Sequence, residues 1–410
     1  MNIVFCFPYR GVGGVSLLFS RIANYLSKKR CVFVVDYKDG FMAKNIEASV
    51  KLIEYDEQTP AVIPENTIVV FQAMTPWSIF SSLTIPDSSR IFFWHCHPYN
   101  LVPSYPVVDG YLKAHRQINL LVYKTIFRSY WNKANKFLEI LSENNSIAFM
   151  DKPNKDNTQF FFKGLTFDSP YLRIPSFSVN SRHKKFEPGL LRLGWIGRIT
   201  DFKVSILKHT LLVANKVASK INSPIEFTVV GSGEYLSEVK GLASSLTQIK
   251  VEFIEHIDPK VIDDYIFDNI DLMFAMGTSA LESAKLGVPT VLLDFSYKDV
   301  PDSYAFVPLF LKQGESLGED VSALHSYSNG VNQSLASMYN ILHDLENDKY
   351  QEYSDSTVEY FNKFHEIGQI AEQLVTCLDR SRTCYNDLKE QNIISDKMSL
   401  YMLIKKALRG

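Results

Sequence analysis

The sequence predicts an α/β protein built from two doubly wound, Rossmann-like domains with a helical C-terminal extension. Three observations carry that prediction. Short, wholly apolar runs alternate with segments of helical periodicity; the alternation lapses in the polar, basic stretch 180–189 and then restarts; and from about Glu319 the pattern is helical to the end. Runs with no polar alternation belong to parallel strands covered on both faces. The chain has 410 residues, against roughly 100–200 for a typical domain. The expected boundaries are 1–180 for an N-terminal domain, 190–357 for a second domain and 358–410 for helices that cross back to the first.

Taken in order, Asn2–Phe7 is the first strand, followed by the glycine-rich turn Gly11-Val12-Gly13-Gly14. Val15, Leu18, Phe19, Ile22 and Leu26 then recur at helical spacing. Cys31–Asp36, Thr67–Phe71, Ile91–Trp94, Ile147–Met150 and Tyr171–Ile174 continue the strand series. After the 180–189 linker, Leu191–Trp195 opens the second domain, and a helix turns Ile206, Leu207, Leu211, Ala214 and Val217 inward. Ile225–Val230, Val251–Ile254, Asp271–Ala275 and Thr290–Leu293 are its further strands. The two halves share no sequence repeat.

Composition removes several function classes. Hydrophobic residues make up 46% and charged residues 21%, too apolar for a disordered chain. Lys plus Arg total 43 against 45 Asp plus Glu, which argues against a bulk nucleic-acid binder. Of the five cysteines, Cys6, Cys31 and Cys96 lie in or beside apolar runs and are expected reduced and mostly buried. Cys377 and Cys384 are expected on one helix, two turns apart, too far for a disulfide. Neither a signal peptide nor a run of about 18 apolar residues is present. The expectation is a cytoplasmic protein, or one held on the inner face of a membrane.

In open parallel sheets, ligands bind beyond the carboxyl ends of the strands. Four segments fall there. At Gly13 and Gly14 the backbone can approach a ligand closely, and the helix start offers amides to an anion. In GRITDFK, Arg198 and Lys203 can jointly neutralise a diphosphate, the first as a bidentate fork and the second as a point charge. In VVGSGEYL, Gly231 and Gly233 suit a close approach to a nucleotide. In MGTSALE, Gly277 ends a strand, Thr278 or Ser279 is an expected N-cap, and Glu282 can accept hydrogen bonds from sugar hydroxyls. Each segment also has a plainer reading: a tight turn, a solvated lysine, or a glutamate favoured by the helix dipole.

The order and spacing of these segments resemble glycosyltransferases of the two-domain GT-B fold, in particular the large retaining family 4 of surface-polysaccharide and lipopolysaccharide synthesis. The resemblance spans most of the chain and is strongest from Leu191 to Leu293. It implies two domains facing across a cleft, with a nucleotide-diphosphate sugar as donor and a glycan, often lipid-linked, as acceptor. It assigns Arg198 and Lys203 to the donor diphosphate, Gly231 and Gly233 to the nucleotide loop, Glu282 to the ribose, and Gly13 and Gly14 to the donor from the N-terminal side. The segment IFFWHCHPYN resembles the family's strand that ends in a histidine facing the cleft, so His95 or His97 is placed to bond the acceptor hydroxyl or the transferred sugar. His97 is favoured because it lies nearer the strand's end.

The family's first glutamate, eight positions before Glu282, would fall at Phe274, which motivates an alternative reading as a catalytically impaired scaffold in a polysaccharide assembly complex. A further alternative is a nicotinamide-dependent enzyme, because Gly11-Val12-Gly13 is followed by Asp36 after the second strand. No Asp-x-Asp pair exists, so no metal and no cofactor are expected and cations must carry the leaving group's charge. From Gly110 to Leu138 there are no acids, while Lys113, Arg116, Lys124, Arg128, Lys133 and Lys136 interleave with aromatic and aliphatic residues. Such a segment suits either an anionic bilayer surface or a helix packed on the sheet with a solvated basic face. The tail Met398–Arg409 has a similar character and either adds to that attachment or docks as a closing helix.

Overall fold

The computed structural model describes the chain except for residues 12, 73–81, 98, 103–111, 113–114, 180–185, 187–188, 259, 315, 322–332 and 395–410. Gly110, Tyr111 and Lys113 of the basic segment, nearly all of the 180–189 linker and the 398–409 tail lie outside the described residues. The chain divides into two compact units, Met1–Pro175 with Ile367–Gly410, and Ser176–Glu366.

In the first unit the strands are β1 (Asn2–Cys6), β2 (Val32–Asp36), β3 (Lys51–Glu54), β4 (Ala61–Val62), β5 (Thr67–Gln72), β6 (Leu83–Thr84), β7 (Arg90–His95) and β8 (Ile147–Phe149). Six of them form one sheet in the order β3-β2-β1-β5-β7-β8, and β4 pairs with β6. Every pairing between these strands is parallel. Successive residues of one strand serve opposite layers. Ile3, Phe5, Phe92 and Trp94 pack with Leu18, Phe19 and Ile22 of helix Gly14–Ser27. Val4, Cys6, Ile91 and Phe93 pack with Phe137, Leu138 and Leu141 of helix Arg128–Glu143. That two-sided burial is why these strands read as unbroken apolar runs. Helix Ile367–Arg380 adds Ile370, Ala371 and Leu374 to the first layer.

In the second unit the strands are β9 (Leu191–Ile196), β10 (Ile225–Val230), β11 (Ile249–Ile254), β12 (Leu272–Ala275), β13 (Thr290–Leu292) and β14 (Val307–Pro308). They form one sheet in the order β11-β10-β9-β12-β13-β14, parallel but for the β13–β14 pair. Both large sheets are thus doubly wound, each with strand order reversing beside its first strand.

Some expectations are corrected. Tyr171–Ile174 is not a strand: Leu172 gives one amide bond to the Phe149 carbonyl and takes the Trp94 indole N–H on its own carbonyl. The short strands β3, β4 and β6 lack a long apolar run, and β14 is only two residues inside the apolar stretch 304–311, so none carries a strand signal in the sequence. Glu319 does not begin a helical region; Phe295 donates to its carbonyl, and the described helices resume at Gln333. Cys31 is exposed, and Cys384 is not on the helix of Cys377 but caps the next one, Tyr385–Glu390.

Candidate functional site

The second sheet reverses between β9 and β12, and the chain leaves the carboxyl end of β9 as Gly197-Arg198-Ile199-Thr200. Thr200 is the N-cap of helix Asp201–Ala218, so Lys203 rises from its first turn. Arg198 is exposed and Lys203 half-buried. Neither has an acidic partner among the described residues, whereas Lys208, Lys240 and Lys285 each hold a carboxylate. Burial first, and the Arg198 guanidinium second, hold the Lys203 ammonium below its ordinary range. Two neighbouring cations without a carboxylate partner raise the local affinity for an anion.

Gly231 and Gly233 lie in the loop after β10 and meet the Arg198 loop directly. Gly197 donates to the Val230 carbonyl at 3.0 Å and Ile199 to the Ser232 carbonyl at 3.0 Å. A Cβ on Gly231, whose φ is +140°, would stand 2.0 Å from the Gly197 carbonyl oxygen, and one on Gly233 2.2 Å from that of Ile199. The close approach that demands glycine here is to the chain's own backbone, and it fixes the loop that carries Arg198.

Beyond β12, only Met276 and Gly277 precede helix Thr278–Ala284. Gly277, at φ +62°, is the N-cap, with Thr278 and Ser279 following as the first helical residues. This corrects the expected cap: the turn needs a backbone conformation that only glycine adopts easily. The Gly277 amide is already used, donating to the Leu317 carbonyl at 2.8 Å, while first-turn amides such as those of Thr278 and Ser279 have no carbonyl within the helix. Glu282 is half-buried and paired with Lys285, which also reaches Asp263 at 2.9 Å. Phe274 sits inside β12, stacked on Phe227 and edge-on to Phe306, so that position belongs to the core. No motif marks the 316–320 loop, which closes over these ends: the Glu319 amide donates to the buried Asp294 carboxylate at 2.9 Å. Its residues lie some forty positions from Gly277 and carry no spacing signal.

In the first unit, Gly13 caps helix Gly14–Ser27 with an extended backbone, and Ser16 Oγ returns to its carbonyl at 2.9 Å. A Cβ on Gly14 would meet nothing within 4 Å. His95 ends β7, wholly buried, with Nε2 3.3 Å from Thr158 Oγ1 and its ring stacked on Phe149. Burial, with a smaller contribution from His97, pushes its pKa down to about 3, so it is neutral at pH 7. His97 lies past the strand, exposed, its Nδ1 accepting the Tyr99 amide at 3.2 Å. The two do not share a side as an extended chain would require, because β7 stops at His95.

Asp36 is the last residue of β2, and its carboxylate accepts amides from Tyr9, Tyr37, Met42 and Ala43. With its oxygens turned onto four backbone donors, it fastens the first turn of helix Phe41–Asn45 and does not resemble a ribose-binding carboxylate. The nicotinamide reading loses its support there.

No protein-family model and no curated protein sequence matches the chain. Its fold does match solved structures. The lipopolysaccharide outer core galactosyltransferase WaaB in its apo form superposes with a TM-score of 0.52 at 10% identity, over 92% of this chain and 99% of that one. A mutant of S. aureus TarM, in complex with Fondaparinux, alpha-GlcNAc-glycerol and UDP, gives 0.52 at 11%, over 92% and 99%. Anabaena HepE in complex with UDP gives 0.50 at 12%, over 92% and 100%. The chain therefore has the fold of GT-B glycosyltransferases.

Proposed function

We propose that this chain is a glycosyltransferase that moves a sugar from a nucleotide-diphosphate donor to a hydroxyl of a glycan, lipid-linked in its natural setting. The observation that carries this is the pair Arg198 and Lys203, two cations without an acidic partner among the described residues at the switch point of the second sheet. As the sugar leaves, negative charge grows on the diphosphate, and preorganised cations stabilise it as it forms. On this reading Arg198 and Lys203 do so without a metal, the first-turn amides of Thr278 and Ser279 contribute, and Glu282 serves the ribose. The resemblance to family 4 adds retention at the anomeric carbon, Gly13 and Gly14 against the donor, and His97 at the transferred sugar or acceptor. UDP in the TarM and HepE complexes supports a nucleoside diphosphate ligand.

Thermal-shift screening against UDP, GDP and TDP sugars, followed by transfer assays, tests the proposal. Arg198→Ala and Lys203→Ala should each lower turnover by about 10²-fold or more with the melting temperature kept. Near-normal transfer by both would overturn it. A second reading, a scaffold that binds nucleotide without turnover, is favoured by Phe274 in the core and by Glu282 held in an ion pair. Any sugar transfer eliminates it.

The first unit is proposed to meet the inner face of the cell membrane through 110–138. Its described part, helices Arg116–Thr125 and Arg128–Glu143, exposes Ile118, Leu121 and Ile126 beside Arg116, Lys124, Arg128 and Lys136.

A further inference from the structure

We propose that the indole N–H of Trp195 is a third hydrogen-bond donor to the diphosphate, acting beside Arg198 and Lys203. This deepens the donor reading above and rests on it. The chain has four tryptophans. Trp94 donates to the Leu172 carbonyl at 2.9 Å and Trp131 to that of Phe161 at 3.1 Å. Trp195 is 1% exposed, yet its Nε1 has no hydrogen-bond partner among the described residues. A buried indole N–H ordinarily finds an acceptor, because leaving it unpaired forfeits the hydrogen bond it made with water.

Its position says which acceptor it suits. Trp195 is the penultimate residue of β9, two before Gly197. A Cβ placed on Gly197 would stand 3.5 Å from Lys203 Nζ and 3.8 Å from Trp195 Nε1. The ammonium and the indole edge therefore converge over the Gly197 Cα, two donors of hydrogen bonds at one point. Gly197 offers no amide of its own there, since it donates to Val230. Its contribution is space. A group that satisfies two donors at one point is an oxygen with several lone pairs, and a phosphate oxygen also answers the charge of Lys203. Nε1 is buried, so this bond needs a small movement of the side chains around it, and Lys203, near the same Gly197 position, has the flexible stem to make one.

Two variants and one spectrum test this in the full chain, with pyrophosphate, UDP, GDP and TDP as probes. Trp195→Phe keeps a large aromatic ring and removes the N–H; it should weaken binding of the best probe about ten-fold. Gly197→Ala fits the folded chain, its nearest atoms being at ordinary contact distance, but fills the convergence point and should weaken binding at least as much. In the 15N–1H spectrum of the wild type, the Trp195 indole signal should move downfield on saturation while those of Trp94 and Trp131 stay. It is assigned by its loss in Trp195→Phe or, should that variant not fold, by elimination with Trp77→Phe, Trp94→Phe and Trp131→Phe. If the signal stays and both variants bind as wild type while Arg198→Ala and Lys203→Ala lose binding, this inference falls and the donor reading stands. If no probe binds, or none of the four variants alters binding, the donor reading fails and takes this one with it.

Discussion

Single glycines in this chain do different work, and substitution should separate them. Gly231 is locked by φ +140° and by the Gly197 carbonyl, so Gly231→Ala should cost at least about 2 kcal/mol in chemical denaturation of the second unit. Gly14 is exposed with open space around its Cα, and Gly14→Ala should hold or raise stability by about 0.5 kcal/mol. If Gly14→Ala nonetheless lowers transfer, the space it needs belongs to a ligand. The sequence picks out both glycines by the same rule, glycine after a strand. It does not tell them apart because the reason for each glycine is the atom facing it across space. The same limit holds for histidines. Spacing puts His95 and His97 on one side, but the end of β7 decides that one is sealed in and the other exposed.

At the scale of elements, two histidines couple stability to pH. His95 joins β7 to helix Lys152–Phe161, and His209 joins helix Asp201–Ala218 to Ser334 at 2.8 Å. Burial pushes their pKa values down to about 3 and about 4. The unfolded chain, with histidines near 6.5, binds more protons below that pH, so folded-state stability should fall as pH drops from about 6.5 toward 4. Each buried histidine contributes at most about 1.4 kcal/mol per pH unit. Asp36 and Asp151, whose carboxyls burial pushes up, act in the opposite sense at lower pH. Urea titrations between pH 7 and 5 check this: His95→Gln should flatten the slope for the first unit and His209→Gln that for the second, and unchanged slopes would count against both. Helices Arg116–Thr125 and Arg128–Glu143 yield a surface prediction. Lys124→Glu and Arg128→Glu together should weaken binding to phosphatidylserine-containing vesicles more than ten-fold, at about 1 kcal/mol per basic residue near an anionic surface. Binding that persists would leave those helices as mere packing on the sheet.

At the scale of the whole molecule, the chain crosses from one unit to the other twice, after Pro175 and after Glu366. The sequence reading places these changes at 180, from a shift in composition, and at 357, but neither composition nor periodicity reports which core a helix joins. Helix Tyr350–Phe364 stays with the second unit, Ser354 Oγ donating to the Gly287 carbonyl at 2.6 Å. Helix Ile367–Arg380 joins the first, where Leu374 is fully buried. Leu374→Ala should therefore cost about 2–5 kcal/mol. The loss should appear as faster amide exchange in Asn2–Cys6 and Thr67–Gln72, with Leu191–Ile196 unchanged. Equal loss in both units would show that the helix does not belong to the first alone.

What the amino-acid string settled unaided is the alternation: apolar runs buried on both faces must be parallel strands, helices must cover them, and glycine-rich turns with Arg198 and Lys203 must follow strand ends. Those are local facts, written in periods of a few residues. Only the folded chain decided that Gly231 serves the Arg198 loop, that the Leu317 carbonyl takes the Gly277 amide, and that the Trp195 N–H stands unpaired beside Lys203. The first two are meetings of atoms from different loops, and the third brings a strand side chain against the helix that follows it. Such meetings are set by sheet order and packing, which leave no periodic trace along the sequence.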